Sequence, residues 1–274
     1  MYFCTHQHQK KNIRIMKTLK ISTLLVALAT ALTFSSCLGD GNDTDYPSYS
    51  SYVTITGDAT FGYTFYSDNG YTLIPTLSSV KEVLPGLATS NAKRAMVAFD
   101  LLSNPESVEP LEAGKIYDVV LRTSYNSNYA IPTYNTIDVT GDDIATDTLT
   151  TNNDPIYFLS KNNYWVANGY LNASMTVIYD PYKQFYMNTY YDYEKDVDVE
   201  NNTLYLNLYY NNNSATPQAQ GTSIFSFALP IEVSDAFTSE NVKVVLRTMT
   251  NENRTYNDSI VYNVALRDFY PPMY

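Results

Sequence analysis

The chain has 274 residues, with 17 Lys and Arg against 28 Asp and Glu and a formal charge of −11. Both histidines (His6, His8), Cys4 and five of the basic residues (Lys10, Lys11, Arg14, Lys17, Lys20) precede residue 37, so removing 36 residues as a leader leaves 238 with a charge of −16, no histidine and the single Cys37. Such a chain repels nucleic acid, which needs clustered Lys and Arg to neutralise phosphate. It also excludes Ser-His-Asp and Cys-His catalysis, deprives zinc of its usual ligands and permits no intrachain disulfide.

The amino end reads as a secretory signal: basic Lys17 and Lys20, an apolar run from Ile21 to Leu32, then Phe34, Ser35, Ser36 and Cys37. The apolar run is about a dozen residues, short of the ~20 that cross a bilayer, so cleavage is expected rather than membrane spanning. Ser35 and Ser36 before Cys37 resemble a lipobox, with Phe34 where leucine is usual. The reading is a signal peptide over residues 1–36, of which 1–15 precede the better initiator Met16, and lipidation at Cys37; the competing reading of Cys37 is an ordinary buried thiol.

Residues 37–51 are rich in Gly, Asn, Asp and Ser and predict an acidic flexible tether. Asp43, Thr44 and Asp45 hint at a calcium loop but lack the glutamate at the twelfth position. From Tyr52 the pattern is short strands with period-two alternation. Phe61 to Tyr66 and Tyr71 to Ile74 flank Asn69-Gly70, a tight-hairpin signal. Strands are predicted at Ala95 to Leu102 and Ile116 to Thr123, with one short helix between Val80 and Arg94, interrupted by Pro85 and Gly86. About five strands and one helix make an OB-like small barrel over residues 52–140.

Polar residues 141–154 predict a linker. Beyond it, strands are predicted at Ile156 to Leu159, Tyr164 to Leu171, Ser174 to Tyr179, Phe185 to Tyr191, Leu204 to Tyr210, Ser223 to Leu229, Val242 to Thr248 and Ile260 to Leu266, an antiparallel β-sandwich over residues 155–274. The fold class is therefore all-β.

The acidic tether after a lipobox cysteine, the hairpin ending Tyr71-Thr72-Leu73-Ile74-Pro75, Asp154-Pro155-Ile156-Tyr157, Gly169-Tyr170-Leu171-Asn172, the strand Leu204 to Leu208 and Phe225-Ser226-Phe227 together resemble the NigD-like lipoproteins of Bacteroidetes. The resemblance spans nearly the whole chain after Cys37. It implies an OB-like domain followed by a β-sandwich, and a cell-envelope location, but no settled activity. Tyr209 and Tyr210 stand where the family tends to carry a histidine, so no role resting on that histidine transfers. Asp40, Asp43 and Asp45 resemble the acidic signal that takes Bacteroidetes lipoproteins to the cell surface; an acidic solvated linker is the alternative.

Asp192, Glu194, Asp196, Asp198 and Glu200 fall at alternate positions, which in a strand puts all five on one face. A solvated edge that discourages aggregation is favoured over a cation site or a catalytic carboxylate pair. The chain holds 27 Tyr, 11 Phe and one Trp. Tyr164, Trp165 and Tyr170 are candidates for stacking a ligand, since such rings offer an apolar face and a polar edge; a core role for Trp165 is the competing reading. Thr148 and Ser259 sit in short patterns matching Bacteroidetes O-glycosylation sites. No catalytic residue, metal site or cofactor is assigned. The expected protein is an outer-membrane lipoprotein, surface-exposed, that binds an extracellular glycan or an outer-membrane protein without catalysis. Alternatives are a carboxylate-based extracellular carbohydrate-active enzyme, and a structural, adhesive or bacteriocin-linked accessory protein.

Overall fold

The structure, a computed structural model, describes residues 49–85, 92–104, 109–122, 128–142, 152–214, 216–250 and 255–272. All belong to one compact unit, Tyr46–Tyr274. The leader, Cys37, the acidic cluster Asp40 to Asp45, Thr148 and most of the expected linker lie outside the described residues.

The amino-terminal half is a closed five-stranded barrel. Strands β1 (Tyr49–Asp58), β2 (Gly62–Ser67), β3 (Thr72–Pro75), β4 (Arg94–Leu101) and β5 (Ile116–Leu121) pair in the order β1-β2-β3-β5-β4, and β4 returns to β1. Val53 pairs with Ser67 of β2 on one side and with Ala95 of β4 on the other, so β1 belongs to both edges and closes the sheet. The expected hairpin forms around Asn69-Gly70, with Gly70 at φ 87° and Phe65 opposite Leu73. Helix α1 (Leu77–Val83) starts three residues before the predicted window, because Thr76 accepts from the Ser79 amide as its N-cap. Val53, Phe65, Leu73, Ala95, Val97, Phe99 and Val119 fill the interior, all at 0% exposure.

The expected tether ends early. Tyr49 to Ser51 already belong to β1, where Tyr49 pairs with Phe99 and the Ser51 hydroxyl lies 2.7 Å from that of Ser67. The barrel boundary shifts as well. After β6 (Tyr129–Ile131) extends β4, β7 (Thr133–Tyr134) and β8 (Thr136–Asp138) pair with the two sheets of the sandwich. Residues 133–138, expected at the end of the barrel, are thus sandwich strands, too short to show an alternation of their own. Asn153, expected in the linker, is buried; it accepts from the Tyr210 amide and donates to the Leu208 carbonyl.

One sandwich sheet runs β7-β14-β10-β9, with β9 (Phe158–Ala167), β10 (Tyr170–Tyr179) and β14 (Ala219–Ala228). The other runs β16-β15-β13-β11-β8, with β11 (Tyr186–Tyr191), β13 (Thr203–Asn211), β15 (Asn241–Thr248) and β16 (Asp258–Ala265), while the short β12 (Val197–Asp198) also pairs with β13. Leu171, Met175, Leu204, Leu206, Phe227, Val244, Leu246 and Phe269 form its core. The sandwich is mixed rather than antiparallel throughout: β13 and β15 run parallel from Thr203↔Lys243 to Asn207↔Arg247. The chain leaves β13 to build β14 in the opposite sheet and re-enters beside β13 in the same direction. The predicted strand Tyr164 to Leu171 is instead two strands, divided at Asn168 (φ 53°) and Gly169 (φ 79°), whose positive angles make a hairpin turn.

Candidate functional site

Strand alternation decides what the second sheet shows on its outer face. Leu204, Leu206 and Leu208 point into the core, so Tyr205 and Asn207 point out; Val244 and Leu246 point in, so Val245 and Arg247 point out. Register then lines up Tyr190, Asn207, Arg247 and Ser259 as one row across β11, β13, β15 and β16.

Arg247 lies flat on Tyr205, its Cζ 3.8 Å from the ring centroid, and its Nη1 donates to Asp196 Oδ1 at 3.2 Å. Stacking and ion pair together fix the guanidinium in one pose, with about a third of the side chain exposed (34%). Asp196 reaches the sheet from a single helical turn, α2 (Tyr193–Asp196). The Asp192 carboxylate caps that turn by accepting from the Glu194 amide at 3.0 Å, and Lys195 Nζ donates to its other oxygen at 2.5 Å. Asp196 Oδ2 accepts from the Asp192 amide and from Asn207 Nδ2, both at 3.0 Å. Burial raises the Asp196 carboxyl above the ordinary range, whereas the Lys195 hydrogen bond lowers that of Asp192.

The Tyr190 and Tyr256 hydroxyls hydrogen-bond to each other, and Asn153 Nδ2 donates to the Tyr256 hydroxyl at 3.3 Å. Beside this network lies a groove of about 540 Å³, lined by Tyr205, Val245, Arg247, Tyr256, Asn257, Asp258 and Ser259. That volume falls within the ~300–1,000 Å³ of small-molecule sites. A second groove of about 570 Å³, between the turn at Thr238 to Asn241 and Ala265 to Arg267, has as its only cation an Arg267 that is 88% exposed. It offers no side chain fixed in advance.

The carboxylate run therefore does not form the solvated face of one strand. A helical turn interrupts the alternation, and Asp192 and Asp196 are buried and used in holding that turn on the sheet. Among the described residues, no group of three His, Cys, Asp or Glu side chains is placed to hold a metal.

The proposed aromatic platform divides in two. Tyr164 is partly exposed and meets Tyr262 edge-on, at 5.1 Å between centroids. Trp165 and Tyr170 instead surround an ion pair between barrel and sandwich. Ala95, Val97 and Phe99 face the barrel interior, so Arg94 points the other way, onto the outer face of the β10 sheet, where it is fully buried. Its Nη1 and Nη2 donate to the two carboxylate oxygens of Asp68, each at 2.6 Å, and Nη1 also donates to Thr54 Oγ1 at 2.9 Å. Trp165 Nε1 donates to Asp68 Oδ2 at 2.6 Å, Asn168 Nδ2 to Asp68 Oδ1 at 3.1 Å, and Arg94 Nη2 to Asn172 Oδ1 at 3.2 Å. Trp165 packs on Tyr52 at 4.6 Å, and Arg94 lies 5.7 Å from the Tyr170 ring centroid. Ser259 is exposed on edge strand β16, beside Arg247 in the groove.

Sequence reasoning missed Arg247. Its outward direction was legible from the alternation of Val242 to Thr248. That β15 lies beside β13 was not, since the pairing is parallel and separated by a strand of the other sheet.

Fold and site define an all-β protein in which a closed barrel is joined to a mixed β-sandwich with a polar groove on one outer face. Residues 137–260 match the NigD-like C-terminal beta sandwich domain, the family that the sequence resembles. No match is found among curated proteins. Similar solved structures include a NigD-like immunity protein from Bacteroides caccae, with 17% identity, 78% of this chain and 90% of that one covered, and a TM-score of 0.49. A protein of unknown function from Bacteroides vulgatus has 17% identity, coverage of 79% and 89%, and a TM-score of 0.49. A putative toxin-related protein from Parabacteroides distasonis has 16% identity, coverage of 79% and 91%, and a TM-score of 0.49.

Proposed function

We propose that this protein is a lipid-anchored binding or accessory module of the cell envelope, held at the outer membrane through Cys37, displayed at the surface and non-enzymatic. The observation that carries the binding role is Arg247, stacked on Tyr205 and fixed by Asp196 at the wall of an open groove. A guanidinium held in one pose loses little freedom when it engages a ligand, which favours recognition at low entropic cost. The carboxylates near it have structural work: the side-chain hydrogen bonds of Asp192 and Asp196 hold α2 together or fix it to the sheet. The envelope location rests on the leader and lipobox pattern before Cys37, and the partner is an extracellular glycan or an outer-membrane protein.

Crosslinking and affinity capture of the tagged full-length protein from intact cells tests this, with Cys37→Ala as the control. Recovery of a specific envelope component, lost or reduced in the control, is the expected result. Uniform recovery of the protein from the soluble fraction, with no envelope component attached, overturns it.

A further inference from the structure

We infer that the Arg247 groove takes a neutral saccharide; this rests on the binding-module reading and names the ligand class of its site. The argument is which polar atoms the groove leaves for a ligand. Asn257 is spent on its own loop, accepting from the Thr250 amide at 2.9 Å and donating to Thr250 Oγ1 at 2.8 Å. The Tyr256 hydroxyl is spent on Tyr190 and Asn153, so only its ring serves as wall. Arg247 gives Nη1 to Asp196 and, among the described residues, retains its other N–H donors on a partly exposed, immobilised fork. Asp258 shares its strand face with buried Ile260, and its Oδ1 is spent on Lys161 of β9 and on the Ser259 amide, so its carboxylate turns away from the fork. Ser259 Oγ stands exposed beside Arg247 as both donor and acceptor.

The groove thus sets the Arg247 fork, stacked on Tyr205, and the Ser259 hydroxyl beside Val245 and the ring of Tyr256. A ligand with several adjacent hydroxyls on an apolar ring face satisfies all of these at once, since each hydroxyl both donates and accepts. An anion is disfavoured: Asp196 already pairs with Arg247, and the chain is strongly acidic overall. At about 540 Å³ the space accommodates one or two sugar rings.

The test is binding of the full-length protein, in detergent, to an immobilised panel of neutral and uronic-acid oligosaccharides. Arg247→Ala removes the fork, and Ser259→Trp fills the groove from an exposed position that the fold does not use. The expected result is capture on neutral sugars, weakened at least tenfold by each variant. If Arg247→Ala fails to fold, Ser259→Trp alone decides. A blank neutral panel, a preference for the acidic sugars, or unchanged binding by correctly folded variants overturns the inference. Should the panel be blank while capture from cells still returns an envelope protein, the saccharide assignment falls and the binding-module reading stands; if both are blank, both fall.

Discussion

The indole N–H of Trp165 donates to Asp68 Oδ2 at 2.6 Å, so a strand of the sandwich is bonded to a turn of the barrel through the carboxylate that also holds Arg94. Arg94 is fully enclosed and depends on that carboxylate for charge compensation. Asp68→Ala should therefore destabilise the protein by about 3–5 kcal/mol, the cost of stranding one member of a buried pair. The double variant Asp68→Ala/Arg94→Met should recover much of this, because no charge is then left buried. Urea unfolding followed by Trp165 emission checks both. A single variant within about 0.5 kcal/mol of wild type, the range of ordinary surface changes, would refute the role given to the pair.

Gly57 stands at φ 81°, and a Cβ built there would lie 2.1 Å from the Gly62 carbonyl oxygen. Gly57→Ala should cost more than the ~1–2 kcal/mol of a left-handed residue alone, since the β1–β2 backbone must also shift. Gly114, at φ 77° with open space around it, is the control that carries the conformational penalty without the clash. Thermal midpoints of the two variants separate the contributions; equal midpoints would show that the hairpin yields freely.

The barrel was legible because its signals are local. Asn69-Gly70 marks the hairpin, and the alternating runs at Ala95 and Ile116 are flanked by polar turns. The same signal at Asn168-Gly169 was overlooked inside an apolar stretch, which merged two strands into one. The run from Asp192 to Glu200 misled for a different reason: period-two spacing is also compatible with one helical turn once Asp192 caps it, and the burial of Asp196 depends on Asn207 and Arg247 from distant strands. Trp165 reads as a ligand-stacking candidate with a core role as the competing reading; the structure bonds it to Asp68, 97 residues away, and no pattern in either segment announces the other.

Seven tyrosines, Tyr129, Tyr134, Tyr190, Tyr191, Tyr210, Tyr256 and Tyr262, are raised above the ordinary phenol value, each chiefly by burial, with Tyr129 and Tyr134 pushed up to about 12. A phenol that ionises later in the folded state than in the unfolded state favours folding below the unfolded value of ~10, and that contribution is lost as pH rises through the folded values. Absorbance titration should show one fraction of tyrosinate appearing near pH 10 and a second, delayed fraction that appears together with loss of the far-ultraviolet circular dichroism signal. Complete ionisation near pH 10 with the β signal intact would contradict the burial of Tyr190, Tyr191, Tyr210 and Tyr262.

Asp192 and Asp196 sit four residues apart and should respond to acid in opposite senses. The lowered carboxyl of Asp192 stabilises the fold above its unfolded value of ~3.9, and this is lost as pH falls through its folded value. The raised carboxyl of Asp196 binds its proton more tightly in the folded state, so its contribution is most favourable below ~3.9 and declines as pH rises through the folded value. Asp192→Asn, which keeps a capping side chain, should lower the urea midpoint at pH 7 more than at pH 3. Asp196→Asn should do the reverse, with its larger loss at pH 3. If Asp196→Asn instead loses more at pH 7, the ion pair with Arg247 outweighs burial, and the carboxylate is held on the sheet by attraction to Arg247 rather than carried there by the capped turn.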